Sequence, residues 1–287
     1  MTFERAAGHR PAVRGLAGPN AWLESDLGGS FSHSGFMNGS LENRVALVTG
    51  ASRGLGAAIA RGLAERGAKV AVNYFANRQR AEALCADIRA TGGVAECFGA
   101  DVRDEAAVTR LTAEVESKLG PIDVLVLNAT GPQPFVKIED LTWRACLDQL
   151  EFFVKSPVLL AAAVVPGMKR RKRGRIVHVG SEVFEKGVPE FSNYVAAKGA
   201  QLGLVRSWAM ELAPWGITVN MVSPGWIPTE RHAGDSQAAK DAYAAAVPMR
   251  HMGEARDVAE AVAYLASDAA KFVTGQRLSV NGGNTLM

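Results

Sequence analysis

From Val45 onward, short runs of apolar and largely β-branched residues alternate with longer stretches in which apolar positions recur at helical spacing. The strand-like runs are "VALVT" (45–49), "KVAVN" (69–73), "VAECF" (94–98), "IDVLVL" (122–127), "RIVHVG" (175–180), "ITVNMV" (217–222) and "RLSVN" (277–281). Between them lie sets such as Ala57, Ile59, Leu63 and Ala64, or Val108, Leu111, Val115 and Leu119, which share one face of a helix. Strands that are apolar almost throughout are covered on both faces, and their alternation with helices specifies a doubly wound α/β fold around a parallel sheet. The pattern predicts about seven strands in a single domain, residues 41–287. Residues 1–40 are rich in Gly, Ser and Pro and have no sustained period, which predicts a flexible N-terminal extension.

The first strand runs into "TGASRGLG", comprising Gly50, Ser52, Arg53, Gly54, Leu55 and Gly56, and a helix follows at once. A turn this tight needs residues without Cβ, both to reach unusual φ and to let backbone approach a diphosphate on the helix N-terminus. Its position between strand and helix is the context that gives the motif meaning, and it predicts a Rossmann-type dinucleotide site. An NAD site usually has a carboxylate at the end of the second strand. Here that strand ends in Asn73 and Tyr74, while Arg53 lies in the turn and Arg78 opens the next helix. Guanidinium groups match phosphate oxygens, so NADP(H) is favoured over NAD(H), although either arginine also reads as a solvated surface side chain.

The segment "SEVFEKGVPEFSNYVAAKGA" (181–200) adds candidate chemistry. Tyr194 and Lys198 stand four apart on a long helix and share one face. An ammonium nearby would lower the pKa of a phenol toward the working range. Ser181 directly follows the strand "RIVHVG", at the sheet edge where open α/β proteins bind ligands, placed to hold a carbonyl oxygen.

These pieces together resemble the short-chain dehydrogenase/reductase family in its single-domain form, over essentially all of 41–287. The resemblance rests on "TGASRGLG", "DV" at Asp101 and Val102, "LNAT" at 127–130, Ser181, "YVAAK", "PGWIPT" at 224–229 and the terminal "VNGG". It implies Tyr194 as catalytic acid/base, Lys198 lowering its pKa and holding the nicotinamide ribose, and Ser181 orienting the substrate. It also implies cofactor contacts at Asp101, Val102, Asn128, Ala129, Pro224, Gly225, Ile227 and Thr229. Two departures stand out. The usual Asn-Asn-Ala-Gly is Leu127, Asn128, Ala129 and Thr130, and the family's further catalytic asparagine, sought 31 positions before Ser181, is replaced by Leu150 with Gln149 beside it.

The expected substrate loops are "GPQPFVK", "EVFEKGVPEF" and the stretch from Trp226, in which 226–247 reads as a mobile lid. They offer Gln133, Glu182, Phe191 and Trp226 as substrate contacts, a mixed rather than charged surface. A formal charge of +3 on 287 residues is too small to argue for nucleic acid. The run "KRRKRG" (169–174) reads as a solvated helix end, or as an attraction for an acidic carrier protein. His178 reads as core. Cys85, Cys97 and Cys146 lack metal or redox spacing, so no metal is expected. No run approaches the ~18 apolar residues of a membrane helix and no signal-peptide pattern is present, so a cytoplasmic protein without membrane partners is predicted. The function implied is an NADP(H)-dependent oxidoreductase acting on a small carbonyl or alcohol, assembled as a homotetramer or homodimer. The alternatives are a 3-oxoacyl thioester reductase and a catalytically weak NADP-binding regulatory or scaffold protein, the latter because of Leu150.

Overall fold

The structure, a computed structural model, describes residues 40–286. The predicted flexible extension lies outside them except for its last residue. The chain runs β1 (Val45–Val48), α1 (Gly54–Ala64), β2 (Lys69–Tyr74), α2 (Arg78–Ala90), β3 (Val94–Gly99), α3 (Glu105–Leu119) and β4 (Ile122–Leu127). It continues through α4 (Trp143–Leu150), a π-helical turn (Glu151–Lys155), α5 (Ser156–Arg171), β5 (Gly174–Val179), α6 (Val183–Lys186) and α7 (Ser192–Leu212). β6 (Ile217–Pro224), α8 (Gln237–Ala246), α9 (Ala255–Ala266) and β7 (Arg277–Val280) complete it. All strands pair in parallel in the order β3-β2-β1-β4-β5-β6-β7. Strand order reverses between β1 and β4, and the carboxyl ends of these strands open the crevice in which such sheets bind ligands.

Alternate residues of one strand feed opposite cores, as the two-residue period of a strand requires. Ala46, Val48, Val70, Val72, Val124 and Val126 pack with Ile59, Leu63, Leu84, Ile88 and Val258 under α1, α2 and α9. Leu47, Ala71, Leu125, Ile176 and Met221 pack with Leu111, Val115, Leu160, Val164 and Val205 under α3, α5 and α7. The edge strands differ from the inner ones: Val94 and Gly99 of β3 and Leu278 of β7 are exposed, because an edge strand has no neighbour on its outer side.

The helical run Trp143–Arg171 is, by length and composition alone, apolar enough to cross a membrane, which the sequence reading did not anticipate. It forms a layer of the fold instead, with Leu160, Val164 and Met168 buried against the sheet. Three residues of the basic run at its end have partners within the fold, while Arg170 and Lys172 are exposed. Arg171 donates to the carbonyl of Ile122 at 2.6 Å, Arg173 pairs with the buried Asp123 at 2.9 Å, and Lys169 pairs with Glu211 at 3.2 Å. Cys85, Cys97 and Cys146 are all free thiols.

Candidate active site

Gly50 and Gly54 both take positive φ, 62° and 56°. A Cβ on Gly50 would come within 2.8 Å of the Cα of Ala129, and one on Gly56 within 2.5 Å of both the Gly50 carbonyl and the Asn128 amide. These two glycines let the turn close on itself. Gly54 differs, because an added Cβ would meet nothing nearer than Thr229 at 3.6 Å. Arg53, the N-cap of α1, makes no side-chain cap, so the first-turn N–H groups remain available to an anion. Ser52 and Leu55 flank the turn, partly buried. This cradle fits the diphosphate of a dinucleotide. Gly56→Ala is expected to weaken dinucleotide binding by at least ~10-fold, the cost of moving two backbone segments. Titration of nicotinamide fluorescence checks it, with binding at the wild-type level as the contrary result.

Several residues read from sequence as cofactor contacts have hydrogen-bond partners within the protein. Asn73 is buried; its Oδ1 accepts from the Gly50 N–H at 3.2 Å, and its Nδ2 donates to the carbonyls of Phe98 and Ala100. Asn128 donates to the carbonyls of Thr49 and Gly50 at 2.9 and 3.1 Å, while the N–H groups of Asn128 and Ala129 donate to the Thr49 hydroxyl. The Asp101 carboxylate takes a bidentate bond from Arg103 at 3.0 and 2.8 Å, a partner that holds it below the usual carboxylate range. Val102 and Ile227 are core residues. Tyr74 lies against Gly99, and Arg78 pairs with Glu82 one turn on. The Pro224 carbonyl accepts from Glu182, and Gly225 donates to Val280. Facing one another at the crevice are Gly54 and Thr229, with Arg53 exposed beside them.

Ser181 follows β5 and Tyr194 lies in the first turn of α7. Tyr194 is buried, stacked on Phe191 at 4.7 Å and edge-on to Phe153 at 5.3 Å. Burial pushes its pKa up to about 12, against the hydrogen bond with Ser181, the charge of Arg231 and the hydrogen bond with Gln133, which all pull it down. The Lys198 ammonium donates to the Val179 carbonyl at 2.7 Å and to Gln201 Oε1 at 3.2 Å, and lies 3.8 Å from the centre of the Phe153 ring. Burial drives Lys198 well below the ordinary lysine value. Lys198 Nζ also lies 5.6 Å from the centre of the Tyr194 ring, the separation at which an ammonium favours a phenolate, while Ser181, Arg231 and Gln133 act on the phenol in the same direction. The side chain of the α4–α5 run that reaches Lys198 is Phe153, not Leu150. It comes from the π-helical turn, whose extra residue shifts the phase of the helix. Gln149 does not reach the lysine either; its amide donates to the Pro132 carbonyl at 2.9 Å.

A family model described as enoyl-(acyl carrier protein) reductase matches residues 50–285. The chain belongs to the short-chain dehydrogenase/reductase family. The 3-oxoacyl-[acyl-carrier-protein] reductase of Staphylococcus epidermidis is 40% identical over 243 residues, 84% of this chain and 98% of that one. Its counterpart from Escherichia coli is 38% identical over 244 residues, 84% and 97% of the two chains. Among solved structures, a Serratia marcescens short-chain dehydrogenase/reductase mutant superposes with a TM-score of 0.80 at 33% identity, covering 86% of this chain and 100% of its own. A gluconate 5-dehydrogenase from Burkholderia cenocepacia, solved with NADP and tartrate, gives 0.80 at 32% identity, covering 86% and 98%. This short-chain dehydrogenase/reductase is an oxidoreductase acting on CH–OH and C=O groups with a nicotinamide cofactor.

The family resemblance does not explain Glu182. Its carboxylate is buried and accepts from Tyr243 Oη at 2.8 Å, Asn284 Nδ2 at 2.8 Å and Asn281 Nδ2 at 3.0 Å. It is thus an internal hub rather than a group presented to a substrate. It also corrects the picture of a free lid, since Tyr243 belongs to α8 and its hydroxyl accepts from the Trp226 N–H at 2.8 Å. Phe191 is likewise a packing residue, stacked between Phe135 and Tyr194. Trp226 packs edge-on to Tyr243 and His232. Gln133 remains beside the Tyr194 hydroxyl and donates to Thr130 at 2.9 Å. His178 is fully buried with neither ring nitrogen partnered, and burial lowers its pKa to about 3, so it is a neutral core side chain. Sequence reasoning missed Phe153, Gln201 and Arg231. Only Gln201 carried a usable signal, a polar residue three positions after Lys198 on the same helix face.

Proposed function

We propose that residues 41–287 form a single catalytic domain that interconverts a ketone and a secondary alcohol with NADP(H). The observation that carries this reading is the buried Tyr194, with Lys198 Nζ 5.6 Å from its ring centre and Ser181 acting on its hydroxyl, at the carboxyl edge of the sheet. When bound, the nicotinamide supplies or accepts the hydride. Ser181 and Gln133 hold the carbonyl oxygen, and Tyr194 gives it a proton in reduction and removes one in oxidation. Lys198, fixed by Val179 and Gln201, would hold the cofactor ribose. Preference for NADP(H) is supported by the exposed Arg53, which has no carboxylate partner among the described residues, and by Asn73 standing where an NAD site carries an acid.

The test is NADPH and NADH oxidation over a panel of ketones. Turnover with NADPH on at least one ketone is expected, and cofactor binding without turnover on any would refute the reading and return the scaffold alternative. A 3-oxoacyl thioester belongs in that panel, because relatives at 38–40% identity are named as 3-oxoacyl-[acyl-carrier-protein] reductases. The high pKa of Tyr194 sets the pH dependence. The phenol stays protonated below about 12, so the reduction rate is expected to be flat across neutral pH. Oxidation needs the phenolate, so its rate is expected to rise about tenfold per pH unit from roughly pH 7 to roughly pH 10. Rate profiles in both directions check this; an oxidation rate that falls with pH would contradict it. A cytoplasmic homotetramer or homodimer is the assembly this reading carries, supported by exposed apolar side chains on α5 and α7, Val158 and Met210. Light scattering measures it.

A further inference from the structure

Arg231 sits in the short 3-10 turn Glu230–His232 that follows Thr229. Its Nη2 donates to the carbonyl of Gly131 at 2.6 Å, so the side chain crosses from the loop after β6 to the loop after β4. That second loop lies against Tyr194: the Pro134 carbonyl accepts from Asn193 at 3.3 Å, Phe135 stacks on Phe191 and Phe191 on Tyr194, and the Arg231 charge acts on the Tyr194 phenol. Arg231 therefore lies at the exposed mouth of the crevice, bridging two loops on the side of Tyr194.

Among the described residues no carboxylate pairs with Arg231. The neighbouring Glu230 turns its carboxylate toward Gly54, Asp235 acts on His232, and Arg53 is a like charge. A guanidinium has five N–H donors in a rigid fork, and the bond to Gly131 spends a single arm on a neutral carbonyl. Such a fork matches the two oxygens of a carboxylate.

We propose that Arg231 is the recognition point for an ionised carboxylate on the substrate, so that the enzyme acts on an oxo acid and its hydroxy acid. This rests on the reductase reading above and narrows its substrate class. The same fork would also accept an anionic oxygen of the cofactor's diphosphate, and the experiment separates the two sources.

Wild-type and Arg231→Gln proteins are compared on acetoacetate and on its neutral counterpart methyl acetoacetate, with NADPH varied. The ratio of kcat/KM for the acid over the ester is expected to fall ~30-fold in the variant, the worth of one charge-assisted pair. The loss should appear in the KM of the acid, with partial rescue by Arg231→Lys. In parallel, malonate is titrated into each protein's NADPH complex while nicotinamide fluorescence is followed, which needs no turnover. Malonate is expected to bind the wild type at least ~10-fold more tightly than the variant. Equal losses on acid and ester, or equal malonate affinity, would overturn the proposal, and a rise confined to the KM of NADPH would assign the fork to the cofactor. Wild-type protein that reduces no ketone but binds malonate through Arg231 would sink the reductase reading and leave the anion site standing.

Discussion

Tyr194→Phe is expected to lower kcat for ketone reduction by about 10²- to 10⁴-fold, the range for loss of a positioned proton donor. The substitution removes only the hydroxyl. The ring keeps its stack on Phe191 and its edge contact with Phe153, so the pocket retains its shape. The cradle built by Gly50, Gly54 and Gly56 is untouched, and NADPH should bind with unchanged affinity. Steady-state kinetics beside a fluorescence titration of NADPH distinguishes a lost proton donor from a lost fold. Turnover within about threefold of wild type, with the same cofactor affinity, would remove Tyr194 from the chemistry.

The largest expected effect on stability lies one residue from the catalytic serine. Glu182→Ala leaves the hydroxyl of Tyr243 and the amides of Asn281 and Asn284 without their shared acceptor in a buried setting. Buried donors that lose a charged partner cost about 2–4 kcal/mol. For a domain of this size that is a fall in Tm of roughly 5–15 °C. Tyr243 would keep its bond to Trp226 but no longer tie α8 to the segment after β5, so the region around 226–247 should exchange its amide protons faster than in wild type. Glu182→Gln keeps one acceptor oxygen but brings its own NH₂ against existing donors, and an intermediate loss is expected. Thermal unfolding of the three proteins checks the series, and an alanine variant as stable as wild type would show that the hub contributes nothing net.

The doubly wound sheet was legible because its inner strands are buried on both faces, which forces unbroken apolar runs such as "IDVLVL". The glycine turn was equally legible, since close approach between Gly50 and Ala129 admits no Cβ. Polar residues were harder to place. Asn73 and Asn128 stand where a sequence suggests ligand contacts, but the backbone groups of the turn need partners of their own and claim both amides. Glu182 looked available because its partners, Tyr243, Asn281 and Asn284, are 61, 99 and 102 residues away and leave no local spacing to detect. Leu150 was sought by a fixed offset along the chain. Which side chain meets Lys198 is decided instead by helix phase, and the π-helical turn at Glu151–Lys155 brings Phe153 there. The local sequence carries no periodicity that marks that turn.

The most direct test is a single turnover with NADPH deuterated at the transferring position of C4, on a ketone that the enzyme reduces. Deuterium should appear at the carbinol carbon of the product in wild type, and on no product in Tyr194→Phe within the time the wild type needs for one turnover. Deuterium lost to solvent, or an equal yield of labelled alcohol from the variant, would contradict hydride transfer assisted by the Tyr194 hydroxyl.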